Sequence, residues 1–250
     1  VALTPSPDLS AAAWIARSDQ PWDELVTFGP RGFPAYARLR FLPDPTHPGQ
    51  SENDVHPAED APPESEQLRG ALDTLARHTD TPDRCYFCLW DGWGDLEGGE
   101  GARPVNPLTG AVSALARRLR RATGRRRALP AVYSDPAAGL RRGPPIAPAF
   151  PRSVLDGPKV VVPNRAFYLF QGRLTDFGDW GAAEMWPGRP RSLAEPAFVW
   201  PADHAWCVAR DVDPHWAGIG ADQSAIDELV ADPRLDLVRA DPRERPPTYY

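Results

Sequence analysis

Apolar positions in this chain fall into short runs separated by proline-rich and acidic connections, and the spacing inside each run predicts its element. Ala11-Ala12-Ala13-Trp14-Ile15 follows Asp8 and Ser10, either of which suits the cap of a short helix by accepting from a free first-turn N–H. Leu25-Val26-Thr27-Phe28, stopped by Gly29-Pro30, reads as a short strand. Residues 35–42 alternate as a half-buried strand does, with Tyr36, Arg38 and Arg40 on one face and Leu39 and Phe41 on the other. Leu68, Ala71, Leu72 and Leu75 recur at helical spacing. Cys85-Tyr86-Phe87-Cys88-Leu89-Trp90 is apolar throughout and predicts a central strand buried on both faces. Residues 109–123 make the clearest helix: Val112, Leu115, Leu119 and Ala122 form one stripe, arginines lie opposite, and Gly124 suits a left-handed C-cap.

The second half is organised around residues 159–216. Three apolar runs there, Val160-Val161-Val162, Phe167-Tyr168-Leu169-Phe170 and Trp206-Cys207-Val208-Ala209, predict sheet core, and five of the nine tryptophans sit among them. Asp222 is placed to cap a helix carrying Ala225, Ile226, Leu229 and Val230, and Leu235-Asp236-Leu237-Val238 reads as a last strand. Residues 43–63 and 139–158 are proline-rich connections, the second placed as a hinge if the single domain is bilobed. The pattern predicts one α+β domain over 1–250, with a mixed or mainly antiparallel sheet flanked by about four helices.

Composition narrows the functional classes. A net charge of −6 disfavours a general nucleic-acid binder. One lysine against twenty-seven arginines reads as codon bias before function. Three cysteines cannot build a disulfide framework and fit a reducing compartment. With no signal-peptide pattern in the first thirty residues and no membrane-length apolar run, the expectation is a soluble cytoplasmic protein.

Four stretches carry a resemblance. The run Cys85-Tyr86-Phe87-Cys88-Leu89-Trp90-Asp91-Gly92-Trp93-Gly94 is similar to a motif of an uncharacterised protein family common in actinobacterial genomes. Gly32-Phe33-Pro34-Ala35-Tyr36-Ala37-Arg38, Trp200-Pro201-Ala202-Asp203-His204-Ala205-Trp206-Cys207-Val208-Ala209, and the segment from Gly220 through Ala231-Asp232-Pro233-Arg234-Leu235 resemble others in the same order. Where those relatives carry Gly-Gly-Ser before the last helix, this chain has Gly220-Ala221-Asp222, which preserves a capping residue. The resemblance implies a shared fold and assigns no activity, cofactor or catalytic residue.

The familiar chemical motifs fail on their context. Cys85 and Cys88 point to opposite faces of a strand, so they read as buried thiols and not as a metal or redox pair. Asp211-Val212-Asp213-Pro214-His215 lacks the partners of a phosphatase site and reads as a solvated acidic turn, with a hard-cation site at Asp211 and Asp213 as the alternative. Gly218-Ile219-Gly220 before Asp222 lacks a third glycine and reads as a loop and cap. Asp176-Phe177-Gly178 has no kinase context. The helix holding Arg117 through Arg127 carries seven arginines without interleaved aromatics. It reads as a solvated face, with an acidic partner or nucleic acid as the alternative.

An aromatic and acidic set remains: Trp90, Asp91 and Trp93 after one central strand, Trp200, Asp203 and His204 before another. If the strands Cys85–Trp90 and 206–209 are antiparallel neighbours, the two groups meet at one sheet edge. They would then form a pocket for a small molecule or a protein segment; core tryptophans with polar rims are the alternative reading of the same residues. The favoured expectation is a binding or interaction protein without cofactor or metal. The competing one is an enzyme using acid–base chemistry at Asp91, Asp203 and His204.

Overall fold

The structure, a computed structural model, describes residues 1–55, 62–93, 96–99 and 144–250. Among these, nine strands form one sheet: β1 (Thr4–Pro5), β2 (Ala35–Arg40), β3 (Cys85–Trp90), β4 (Val160–Val162), β5 (Arg165–Gly172), β6 (Phe198–Pro201), β7 (Cys207–Ala209), β8 (Trp216–Ala221) and β9 (Leu237–Ala240). Their order is β1-β5-β3-β6-β7-β8-β2-β9, with β4 also on β5, and every pairing is antiparallel. Five α-helices are described: α1 (Ala13–Ala16), α2 (Trp22–Phe28), α3 (Glu64–Leu75), α4 (Arg152–Leu155) and α5 (Gln223–Ala231). The α+β class and antiparallel sheet agree with the sequence pattern. The helix expected over 109–123 and the arginine run 117–127 lie outside the described residues. No described helix is long and apolar enough to cross a membrane.

Strand alternation divides the core in two. Cys85, Phe87 and Leu89 of β3, Val208 of β7, and Ala217 and Ile219 of β8 face a large cluster completed by Leu68, Leu72 and Leu75 of α3 and by Ile226 and Leu229 of α5. Cys88, Phe198, Trp200, Cys207 and Ala209 face the other side, where Ile15 of α1 and Leu25 and Val26 of α2 cover them. Central strand β3 is therefore buried on both faces. Its two cysteines are split between the clusters, and all three thiols are free and buried. Burial pushes the Cys85 thiol up to about 12, far from any thiolate chemistry near neutral pH.

Two sequence expectations are corrected. Leu25-Val26-Thr27-Phe28 belongs to a helix and not a strand, because its neighbours supply helix ends. Pro21 stands at the N-cap, Asp23 and Glu24 occupy the first turn against the positive end of the dipole, and Gly29 at φ 79 terminates it. A run of four apolar residues has no period of its own. Likewise Gly218-Ile219-Gly220 is not a loop but part of β8, whose six residues are all buried. There Gly218 leaves room for α2: a Cβ on it would lie 2.2 Å from the Thr27 carbonyl oxygen. Asp222 does cap α5, accepting from the Ala225 N–H at 2.7 Å.

Candidate functional site

Connectivity separates the six residues singled out from sequence. Strand β6, hidden in the sequence as Phe198-Val199-Trp200-Pro201, inserts between β3 and β7. Both neighbours run antiparallel to it, so β3 and β7 run parallel to each other, and the β6–β7 turn lies beside the start of β3 and not its end. Trp200 sits opposite Tyr86. The Ala202 N–H donates to the Arg84 carbonyl at 2.9 Å and the Asp203 N–H to Thr81 Oγ1 at 3.2 Å, tying the turn to that end. Trp90, Asp91 and Trp93 emerge at the other end, roughly 17 Å of extended strand away.

Each group is locally committed. Asp203 Oδ2 accepts from Thr79 Oγ1 at 2.7 Å and from the Asp80 N–H at 2.8 Å. Burial pushes its carboxyl up, but donors from Thr79, Ala205 and Asp80 outweigh that and hold it below the ordinary carboxylate range. His204 takes a left-handed backbone, φ 56, and lays its ring on Trp14 with centroids 4.3 Å apart. Partial burial lowers its pKa against a weaker pull upward from Asp203. Asp91, at the far end, accepts from Lys159 Nζ at 2.9 Å. Asp91, Asp203 and His204 are thus not assembled into one acid–base set.

Trp90 and Trp93 do line a cavity, with partners the sequence did not suggest. It is small, about 60 Å³, and is closed by Phe167, Glu195, Arg210 and Asp211. The two indoles meet edge-on at 5.8 Å. Arg165, at the start of β5, backs Trp90: its guanidinium lies over Trp90 at 5.2 Å and over Trp22 at 5.5 Å. It donates to both oxygens of Asp211 at 3.1 Å. Asp211 is therefore an ion-pair partner, and among the described residues no three His, Cys, Asp or Glu side chains are grouped to hold a metal.

Glu195 also lines a second, open cleft of about 620 Å³, together with Arg69, Phe177, Trp180, Arg191 and Leu193. The helix α3 presents Arg69, which donates to the Phe177 carbonyl at 3.0 Å and lies over that ring. Gly178 at φ 84 turns the chain beneath it. Trp180 donates its indole N–H to the Ala194 carbonyl at 3.1 Å, and Arg191 Nε to the Ala183 carbonyl at 3.1 Å, so both walls are anchored. Arg210, just past β7, pairs with Glu64 and lies over Phe41.

Glu195 is electrostatically unusual. Burial pushes its carboxyl up, and the attraction of Arg210 and Arg69 only partly offsets this. Its Oε2 is buried with no hydrogen-bond partner among the described residues, and so is Nε of Arg210. Neither residue was legible as functional. Glu195 is a lone acid in a connection before Pro196, and Arg210 is one arginine among twenty-seven.

A third polar cluster is closed and structural. Asp44 accepts from Arg38 at 2.7 and 2.9 Å, from Arg40 at 3.1 Å, and lies 3.3 Å from His215 Nε2, with the Tyr249 ring against His215. Burial would raise the Asp44 carboxyl, but these partners hold it at about 2. No protein-family model, curated protein or solved structure matches this chain, so its own geometry carries the functional argument.

Proposed function

We propose that this protein binds a polar small molecule in the cleft between α3 and the segment from Phe177 to Glu195. The observation that carries the reading is Glu195: a carboxyl with one buried oxygen that has no partner among the described residues, at the wall of a cleft that also presents the Arg69 guanidinium. Buried polar groups are nearly always paired, and an exception beside a cleft marks where a ligand's donor belongs. Arg69 spends one amino group on Phe177 and Arg191 is held against backbone carbonyls, so both are set before a ligand arrives. Anchored arginines and a buried carboxyl together favour a ligand carrying both an acceptor and a donor.

The test is a thermal-shift screen of sugars, amino acids and nucleosides against the wild type and Glu195→Gln. A ligand present at about a hundredfold over its Kd stabilises the native state by about 2.7 kcal/mol. In a chain of this size that raises Tm by roughly 5–10 °C. Glu195→Gln keeps the shape and lowers the response to that ligand. A panel that leaves the wild type unmoved, or moves both proteins equally, refutes the reading.

A further inference from the structure

The inner cavity says what one end of that ligand is. At about 60 Å³ it has room for about two waters at their liquid volume, or for one small functional group. Trp90, Trp93 and Phe167 give it aromatic walls. Two of its lining residues each carry a buried polar atom without a partner among the described residues: Nε of Arg210, which only donates, and Oε2 of Glu195, which as a carboxylate only accepts. They do not satisfy each other, and Arg210 makes its ion pair with Glu64 through a different nitrogen. A charged occupant meets opposition whichever sign it has. An anion faces Glu195 and Asp211, and a cation faces Arg210 and, behind Asp211, Arg165. A neutral group that accepts from Arg210 and donates to Glu195 satisfies both atoms at once.

We propose that this inner cavity is a subsite for a primary carboxamide or an alcohol, the neutral donor–acceptor end of a ligand. That the remainder of the ligand occupies the cleft rests on the reading above. Glu195 is the shared wall, so the end group would enter beside it while the rest of the molecule faces Arg69.

The experiment uses the full chain with ¹⁵N-labelled tryptophan, following the indole N–H signals of Trp90 and Trp93, assigned through Trp90→Phe and Trp93→Phe. Four probes are titrated near neutral pH: acetamide, ethanol, acetate and methylammonium. Acetamide or ethanol is expected to shift these signals saturably, and whichever does so identifies the end group. Acetate and methylammonium are expected to act at least about tenfold more weakly, the cost of about one unmade hydrogen bond. Ala197→Val narrows the same cavity without touching either polar group and is expected to abolish the shift; Val212→Phe at its lining serves if the first variant is unstable. Equal response to all four probes, no response to any, or a response that survives the filled cavity overturns the proposal. So does a crystal structure in which two ordered waters keep their places under saturating acetamide. These probes read the inner cavity alone, so the subsite can fail while a ligand of the cleft is still found, and the reverse.

Discussion

Replacing Gly218 by alanine tests the central packing of the fold. Gly218 lies in β8 between β2 and β7 and faces α2, with no space reserved for a side chain. An alanine Cβ would stand 2.2 Å from the Thr27 carbonyl oxygen, 2.8 Å from Phe28 Cα and 2.9 Å from Phe28 Cδ1. Two of these are backbone atoms of a helix, which cannot rotate aside, so α2 must retreat by about 1 Å or more to restore ordinary contact. That retreat loosens Leu25, Val26 and Phe28, which are 1%, 3% and 1% exposed. Overpacking of this kind costs typically 1–3 kcal/mol. Relief from a strand glycine's entropy returns at most about 1 kcal/mol, and the steric term here sits at its upper end. The expected net loss is about 2 kcal/mol, read as a lower urea midpoint at unchanged slope and a Tm lower by about 4–8 °C. Gly220→Ala provides the contrast: its Cβ would meet Phe33 Cδ2 at 2.5 Å and Tyr36 Cε1 at 2.9 Å, side chains that can rotate. It should cost about half as much. A Gly218→Ala protein within about 0.5 kcal/mol of wild type would refute the close-approach argument.

Two further outcomes follow from the charged clusters. Asp211→Ala strips the anion from Arg165, whose side chain is only 15% exposed and held between two indoles. A loss of about 2 kcal/mol in urea unfolding is expected, partly restored by adding Arg165→Met, because an unpaired buried charge costs more than the absence of the pair. An unchanged midpoint in the single variant removes that account. His215 is pushed below its ordinary 6.5 by burial, with Asp44 and Glu52 pulling up and Arg38 pushing down. The unfolded chain takes up this proton first, so its contribution is intact above pH 6.5 and is lost as pH falls through the lower folded value. Stability should therefore decline below that point by no more than about 1.4 kcal/mol per pH unit from this group. His215→Gln should flatten, without abolishing, the slope of Tm against pH, since His204 is shifted the same way. The Asp44 contribution is untouched in that window, being lost only as pH falls from 3.8 toward about 2. A slope identical in the variant would rule out His215 as a source.

Local pattern was enough where a segment carries its own period or cap. The α3 stripe, the doubly buried β3 with its cysteines on opposite faces, the alternation of β2, and the Asp222 cap of α5 were all legible in the sequence. Each depends on residues within a few positions of one another, and steric and hydrogen-bonding rules act at that range. Short elements without a period were not legible: α2 looked like a strand, and β6 and β8 did not show as strands.

The site failed for a different reason. Trp90 packs against the core and lines the inner cavity with Trp93, but the meeting of Trp90, Asp91 and Trp93 with Trp200, Asp203 and His204 depended on which strand neighbours β3. The insertion of four-residue β6 reverses that answer. Strand order is settled by burial on both faces of the whole sheet, which no local window contains. Glu195 and Arg210 acquire their meaning only from tertiary structure. An ordinary glutamate and an ordinary arginine become a candidate site when folding buries one polar atom of each beside a cavity and supplies neither with a partner among the described residues.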